Sequence, residues 1–196
     1  DVDSPEEVAG LAAAMPEHFS LAVLLAAYCS LRIGEVLGVQ RGDFEGLDSG
    51  ECVVLHVRRQ LNSKAGGLTP PKSNSYRSLT VPASLVPVVR AHFEQHVGRG
   101  KEAPVFVLPG TSIRASHKQL GSPWGKARDQ VKPGFRFHDL RHTGLTLFAQ
   151  QGATLAELLA RGGHTDVSVA LRYQHATAQR DRALTAALDA QVLLAA

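Results

Sequence analysis

From Phe19 to Tyr28 the chain is nearly all apolar and holds neither glycine nor proline, so it reads as a helix buried on every side. A helix with no polar face must be wrapped by other elements. The 196 residues are enough to do this, since a chain of this length buries roughly two-thirds or more of its unfolded surface, and one compact domain is expected. No stretch approaches the roughly 18 consecutive apolar residues of a helical membrane span, which predicts no membrane partner. Asp1-Val2-Asp3-Ser4 is not a basic region followed by an apolar run. Cys29 and Cys52 alone do not make a disulfide framework. The expected compartment is therefore a reducing cytoplasm.

Around that central helix the punctuation is clear. Ser4-Pro5-Glu6-Glu7 has the spacing of a capping box with proline at the first helical position, predicting a helix to about Met15, and Pro16 ends it. Ile33 to Val39 resumes a helical pattern. Cys52 to Val57 and Arg77 to Val81 read as two strands of a small antiparallel sheet, with a loop region of Gly-Gly, Pro-Pro and Asn-Ser between them. Ser84 to Val97 fits a helix with Pro87 near its start, Val105 to Leu108 a short strand, and Ser116 to Val131 a basic helix interrupted by Pro123. Four more helices follow: about His138 to Gln151, Thr154 to Arg161 with a Thr-x-x-Glu box, Val167 to Gln174, and an amphipathic Ala178 to Leu194. The predicted class is α+β, mostly helical with a small antiparallel β-sheet, and no repeat or linker divides residues 1–196.

The net charge of +3 becomes informative when divided along the chain. Residues 1–50 hold two basic and nine acidic side chains, residues 51–145 fifteen and five, and the remainder four and four, so the middle block carries +10 between −7 and 0. That block includes Arg58, Arg59, Lys64, Lys72, Arg77, Lys118, Lys126, Arg128, Lys132, Arg136 and Arg141. It suits phosphate contacts on a nucleic acid, and a solvated face accounts for it equally well on charge alone.

In His138-Asp139-Leu140-Arg141-His142 the two histidines stand four apart on a helix. A zinc hydrolase needs Glu directly after the first His; here Asp139 follows and Arg141 places a cation nearby, a pattern that better suits an anion than a metal. Further on, Gly163-His164 precedes Tyr173 by nine residues. Arg32 in Leu-Arg-Ile-Gly-Glu, His138-x-x-Arg141, Gly163-His164 and Tyr173, taken in order and spacing, resemble the catalytic domain of the tyrosine recombinases, the phage-integrase family. The resemblance covers nearly the whole chain. It takes in Glu35, the Pro-Pro-Lys72 loop before the second strand, and Leu-Arg-Tyr-Gln-His175. Two positions depart from the family pattern: Ser30 stands where glycine usually precedes Leu-Arg, and Gly162 where leucine usually precedes Gly-His.

The residue types fit phosphodiester cleavage, which needs a nucleophile, charge stabilisation on the non-bridging oxygens and a proton for the departing sugar oxygen. Tyr173 fits the nucleophile, and Arg32 and Arg141 are permanent forked donors for two phosphate oxygens. The resemblance implies that His164 and His138 also contact phosphate, with His138 assisting the Tyr173 proton. It further implies that Lys72 is the general acid for the 5′-hydroxyl, with Lys64 the competing lysine of the same region. Glu35 reads as the group that orients the basic cluster. His142 and His175 read as supporting or packing groups. No metal, nucleotide or other cofactor is required.

The resemblance thus implies a site-specific recombinase of phage or prophage origin, associated with the bacterial nucleoid, that forms a covalent 3′-phosphotyrosine. Its implied partners are double-stranded DNA attachment sites, three further copies in a tetramer, and accessory DNA-bending proteins. It also implies core-binding and arm-binding domains upstream of the segment corresponding to Ser4, and a C-terminal helix that docks on a neighbouring copy. A type IB-like topoisomerase and a catalytically idle DNA-binding module are the alternatives.

Overall fold

The computed structural model describes residues 4–49, 52–163 and 185–186. The apolar run forms α2 (Glu17–Tyr28), and α1 (Pro5–Ala13), α3 (Ile33–Gly38), α4 (Val86–His96) and α6 (Phe137–Gln150) pack against it. Phe19, Leu21, Ala22, Val23, Leu25, Ala26 and Ala27 are buried, while the stripe of Glu17, Ser20, Leu24 and Tyr28 keeps some exposure. α1 opens as the sequence predicts: the Glu7 amide donates to Ser4 Oγ at 3.3 Å and the Ser4 amide to the Glu7 carboxylate at 3.1 Å. It stops at Ala13, short of Met15, because the residue before Pro16 is pushed out of helical geometry.

The sheet has three antiparallel strands in the order β1 (Phe44–Glu45), β2 (Val54–Val57) and β5 (Arg77–Thr80). Leu55 pairs with Leu79 and Val57 with Arg77, so these four side chains share the face turned to the core, while His56 bonds outward to Ser78 Oγ and Glu45. The stretch expected as loop between the two predicted strands contains a further hairpin, β3 (Gln60–Asn62) with β4 (Gly67–Thr69). Its turn is held by the Asn62 side chain, which accepts the Lys64 and Ala65 amides, and its tip is tied to His117, with Ser63 Oγ and His117 Nδ1 at 2.8 Å.

Two further expectations are corrected. Val105 to Leu108 is no strand: Val107 makes an isolated bridge to Arg114, and the buried Val105 and Phe106 serve as core filling. α5 (His117–Val131) runs through Pro123 without interruption. The proline forgoes one bond to the preceding turn. The helix is held instead by the reciprocal Ser116–Gln119 cap and by burial of Leu120, Trp124 and Ala127 on both sides of the proline. α7 (Leu155–Gly162) starts at the predicted Thr154–Glu157 box and packs its Leu158 on Leu145 of α6. The predicted helix Val167 to Gln174 lies outside the described residues. So does that over Ala178 to Leu194 apart from Thr185 and Ala186, which are helical and exposed.

α6 crosses α2 at Gly144, where a β-carbon would drive into the Ala27 carbonyl. This close approach sets the turn after α2 beside Arg141. In that turn Ser30 adopts φ 54°, the left-handed region where glycine is favoured, and its hydroxyl is buried without a hydrogen-bond partner. The departure from glycine noted above therefore falls where the backbone needs glycine. Left-handed strain and the orphan hydroxyl each cost more than the extra freedom of glycine in the unfolded chain, so Ser30→Gly stabilises the protein by about 1 kcal/mol. A higher urea midpoint is the expected result, and an unchanged or lower one contradicts this account.

A second prediction comes from the α4 face of the core. His92 is buried, donates from Nε2 to the Val105 carbonyl at 2.9 Å, and has the rings of His96 and Phe106 at 5.0 and 5.4 Å. Burial pushes its pKa down to about 4, the nearby His96 and His18 act in the same direction, and the Val105 bond opposes them. In the unfolded chain the imidazole takes a proton below about pH 6.5. Between roughly pH 6.5 and 4 the unfolded state therefore binds more protons, so stability falls as pH falls through that window. The expected loss from this residue between pH 7 and 5 is about 2 kcal/mol by the same linkage relation. Urea unfolding at the two pH values measures it, and His92→Gln removes that part of the slope.

Candidate active site

The site is organised by one carboxylate. Glu35, in the first turn of α3, is fully buried and accepts the Arg32 amide at 2.9 Å and Arg32 Nη1 at 2.8 Å. Arg77 adds a forked pair, Nη1 at 3.0 Å and Nη2 at 2.7 Å, and Arg141 Nη1 stands 4.0 Å away. Burial alone would raise the Glu35 pKa. The hydrogen bonds and charge of Arg77, with the amide and charge of Arg32, outweigh it and hold the group at about 2, so it is ionised throughout the physiological range. Local spacing explains half of this: Arg32 and Glu35 are three apart at a helix start, where a carboxylate reaches back to the preceding amide.

The same three guanidinium groups take three successive carbonyls at the end of α7. Arg77 Nε donates to Arg161 O at 2.9 Å, Arg141 Nη2 to Gly162 O, and Arg32 Nη2 to Gly163 O at 3.3 Å. The last carbonyls of a helix lack intrahelical donors and carry partial negative charge, which cations satisfy. Arg141 Nη1 also donates to Ser30 O. Arg161 continues the pattern toward the core, with Nη2 on Tyr28 O and its guanidinium 4.5 Å from the centre of the Phe148 ring. Gly163 then turns left-handed, with φ 57° and ψ 46°, and the chain leaves toward His164.

The structure thus brings Arg32, Glu35 and Arg141 into one cluster. Arg32 keeps 21% of its side chain exposed whereas Arg141 keeps 1%. His138 lies at the surface one helical turn before Arg141, its ring 4.8 Å from that of His142. Partial desolvation, then the charges of His142, Arg141 and Arg32, hold its pKa below the ordinary imidazole range. Among the described residues no group of three His, Cys, Asp or Glu side chains is placed to hold a metal ion. Lys72 begins an exposed turn leading into β5, and Lys64 sits apart on the β3–β4 turn. His164, Tyr173 and His175 lie outside the described residues.

Arg77 is the residue that sequence reasoning misplaced. Counted with the basic block, it reads as a solvent-facing phosphate contact; the structure leaves only 5% of its side chain exposed and commits it to Glu35 and α7. The signal was its parity: residues 77, 79 and 81 share one face of a strand, and Leu79 and Val81 are core residues. Arg141 is buried as well, with its guanidinium against the Ser30 and Gly162 carbonyls. A separate open cleft of about 460 Å³, lined by Lys132, Phe135, Arg136, Asp139, His142 and Thr146 among others, does not include the arginine cluster.

Comparison with known proteins gives the family and the fold. The model of the phage integrase family matches residues 4–180. The integrase of Mycobacterium phage L5 is 34% identical over 194 residues, covering 95% of this chain and 51% of the phage protein. That of Mycobacterium phage FRAT1 is 36% identical over 184 residues, covering 91% and 54%. The chain therefore spans about half the length of the curated relatives it matches. In fold, it superposes on the Tn1549 transposon integrase in complex with a circular intermediate DNA with a TM-score of 0.73, covering 94% of this chain and 65% of that one at 19% identity. XerA recombinase gives a TM-score of 0.68, covering 93% and 61% at 17% identity. With Arg32, His138-x-x-Arg141, Gly163-His164 and Tyr173 all inside the matched span, the chain belongs to the phage integrase family.

Proposed function

We propose that this chain is the catalytic half of a site-specific recombinase that cleaves and rejoins DNA through a covalent phosphotyrosine. The observation that carries the reading is the charge imbalance of the buried cluster. Among the described residues three guanidinium groups converge on one carboxylate, that of Glu35, so positive charge predominates there, with Arg32 and His138 at the accessible edge. A phosphodiester is the anion that such forked donors suit. The family membership and the fold shared with a DNA-bound integrase support the same substrate.

In this reading Arg32 and Arg141 hold the two non-bridging oxygens of the scissile phosphate, with His164 as a further donor. Arg141 reaches a phosphate by exchanging one of its carbonyl contacts for a phosphate oxygen. The Tyr173 hydroxyl attacks phosphorus; the P–O5′ bond breaks as the Tyr173–phosphate bond forms. Lys72 gives a proton to the departing O5′. The phenol proton passes to His138, whose lowered pKa keeps its ring neutral and able to accept at neutral pH. Attack by another 5′-hydroxyl reverses each step and reseals a strand, so no nucleotide is consumed. Four such cleavages across two duplexes require four copies of the protein on paired attachment sites. The remaining half of the relatives' length fits upstream DNA-binding domains that close on the duplex.

Incubation with nicked DNA carrying the candidate attachment site, in EDTA and in a form that includes the upstream segment, tests this. A protein–DNA adduct on a denaturing gel, absent from Tyr173→Phe, is the expected result. Salt-sensitive binding with no adduct in either protein contradicts the reading and leaves a DNA-binding module. An adduct accompanied by relaxation of supercoils by single copies, with no strand exchange between duplexes, identifies a topoisomerase instead.

A further inference from the structure

We propose that Arg77 is a positioning residue for strand cleavage, holding the Lys72 turn and the end of α7 in fixed relation to the Glu35 cluster; this rests on the cleavage reading above. Arg77 occupies a core-facing position of β5, opposite Val57, where a strand normally carries an apolar side chain. A guanidinium there is held by four hydrogen bonds at once. Nη1 and Nη2 fork onto Glu35 of α3, Nε donates to Arg161 O of α7, and Nη1 also donates to Ser75 O at 3.3 Å in the turn that begins at Lys72. The partners lie 42, 84 and 2 residues away in sequence, so a single side chain fixes three separate segments.

The turn needs such an anchor. Between Lys72 and Arg77, Ser73 and Asn74 both adopt positive φ, 56° and 51°, which is unfavourable for residues with a β-carbon. Short local bonds close it, Asn74 N to Pro71 O at 2.9 Å, Ser75 N to Lys72 O at 3.3 Å and Tyr76 N to Asn74 O at 2.7 Å, and its side chains are largely exposed. The bond from Arg77 to Ser75 O ties this strained loop to a buried ion pair. Gly163 closes the arrangement from the other side: a β-carbon on it would stand 3.0 Å from both Arg77 Nη1 and Ser75 Cβ. Lysine cannot replace this, because one ammonium presents a point charge rather than a fork plus a third directed donor. Arg77 itself is buried and touches no substrate; it acts through Lys72.

The experiment compares single-turnover cleavage of two nicked DNA substrates, one with the ordinary scissile phosphodiester and one with a 5′-bridging sulfur. A thiolate departs without a proton, so the second substrate bypasses the acid. In the protein with its upstream segment, Arg77→Lys is expected to slow cleavage of the ordinary substrate about 100-fold, the scale of a lost general acid, with DNA affinity unchanged. The sulfur substrate is expected to recover most of that loss, as it does for Lys72→Ala. Ser73→Pro, which forbids positive φ in the exposed turn and leaves the buried cluster intact, is expected to show the same substrate-dependent loss and keeps the proposal testable if Arg77→Lys does not fold. Equal losses on both substrates, or an unaffected rate on the ordinary one, overturn the positioning role. Failure of the wild-type protein to form an adduct with either substrate overturns the cleavage reading itself, and the role of Arg77 with it.

Discussion

The buried carboxylate of Glu35 is the constraint on which the rest of the site depends. An isolated ionised carboxylate in a protein interior is strongly unfavourable, and removal of one partner from a buried pair typically destabilises by about 3–5 kcal/mol. Here the ionised form survives because hydrogen-bond donors from two elements meet it: the Arg32 amide and guanidinium at the start of α3, and the fork of Arg77 from β5. Arg141 of α6 stands at the edge of the same group. Elements that the chain makes far apart are thereby brought into one geometry, because arginines from three of them share the same carboxylate.

The end of α7 uses the other side of the same guanidinium groups. The carboxylate satisfies part of the Arg32 and Arg77 forks, and further donors of the three groups point to Arg161 O, Gly162 O and Gly163 O. Helix-terminal carbonyls supply partial negative charge without a further buried carboxylate. The arrangement explains why the helix can end on two consecutive glycines, Gly162 and Gly163, and still be well placed. The lost side chains are replaced by three directed hydrogen bonds to the backbone. It also fixes Gly163, the last residue of this segment, against the cluster.

Much of this was legible in the sequence because local rules govern it. The Ser4 and Thr154 caps, the apolar helix at Phe19 to Tyr28, the pairing of the two β-branched stretches, and the three-residue spacings of Arg32 with Glu35 and His138 with Arg141 follow from helix and strand periodicity. What was not legible has specific causes. β3 and β4 are three residues each and rich in turn formers, so their pairing shows only in the register. α5 keeps Pro123 because burial of Leu120, Trp124 and Ala127 outweighs one missing bond. Arg77 was hidden by its own charge: its strand parity pointed inward, while its place in a basic block pointed outward. The parity rule won because Glu35, 42 residues away in sequence, supplied the counter-charge that makes an inward arginine tolerable.

That outcome bears on how a basic protein separates arginines that build from arginines that bind. Net charge along the chain counts Arg77, Arg141 and Arg32 alike, yet their side-chain exposures of 5%, 1% and 21% rank them differently. The two most buried spend their donors on the carboxylate and on carbonyls, and Arg32 alone among the three keeps a substantial face toward solvent. Under the proposed reading an incoming phosphate first meets Arg32, and its second negative oxygen then competes with backbone carbonyls for Arg141. A charged phosphate oxygen is a stronger acceptor than a neutral carbonyl. Under that reading the carbonyls of Ser30 and Gly162 keep the guanidinium oriented until the stronger acceptor arrives.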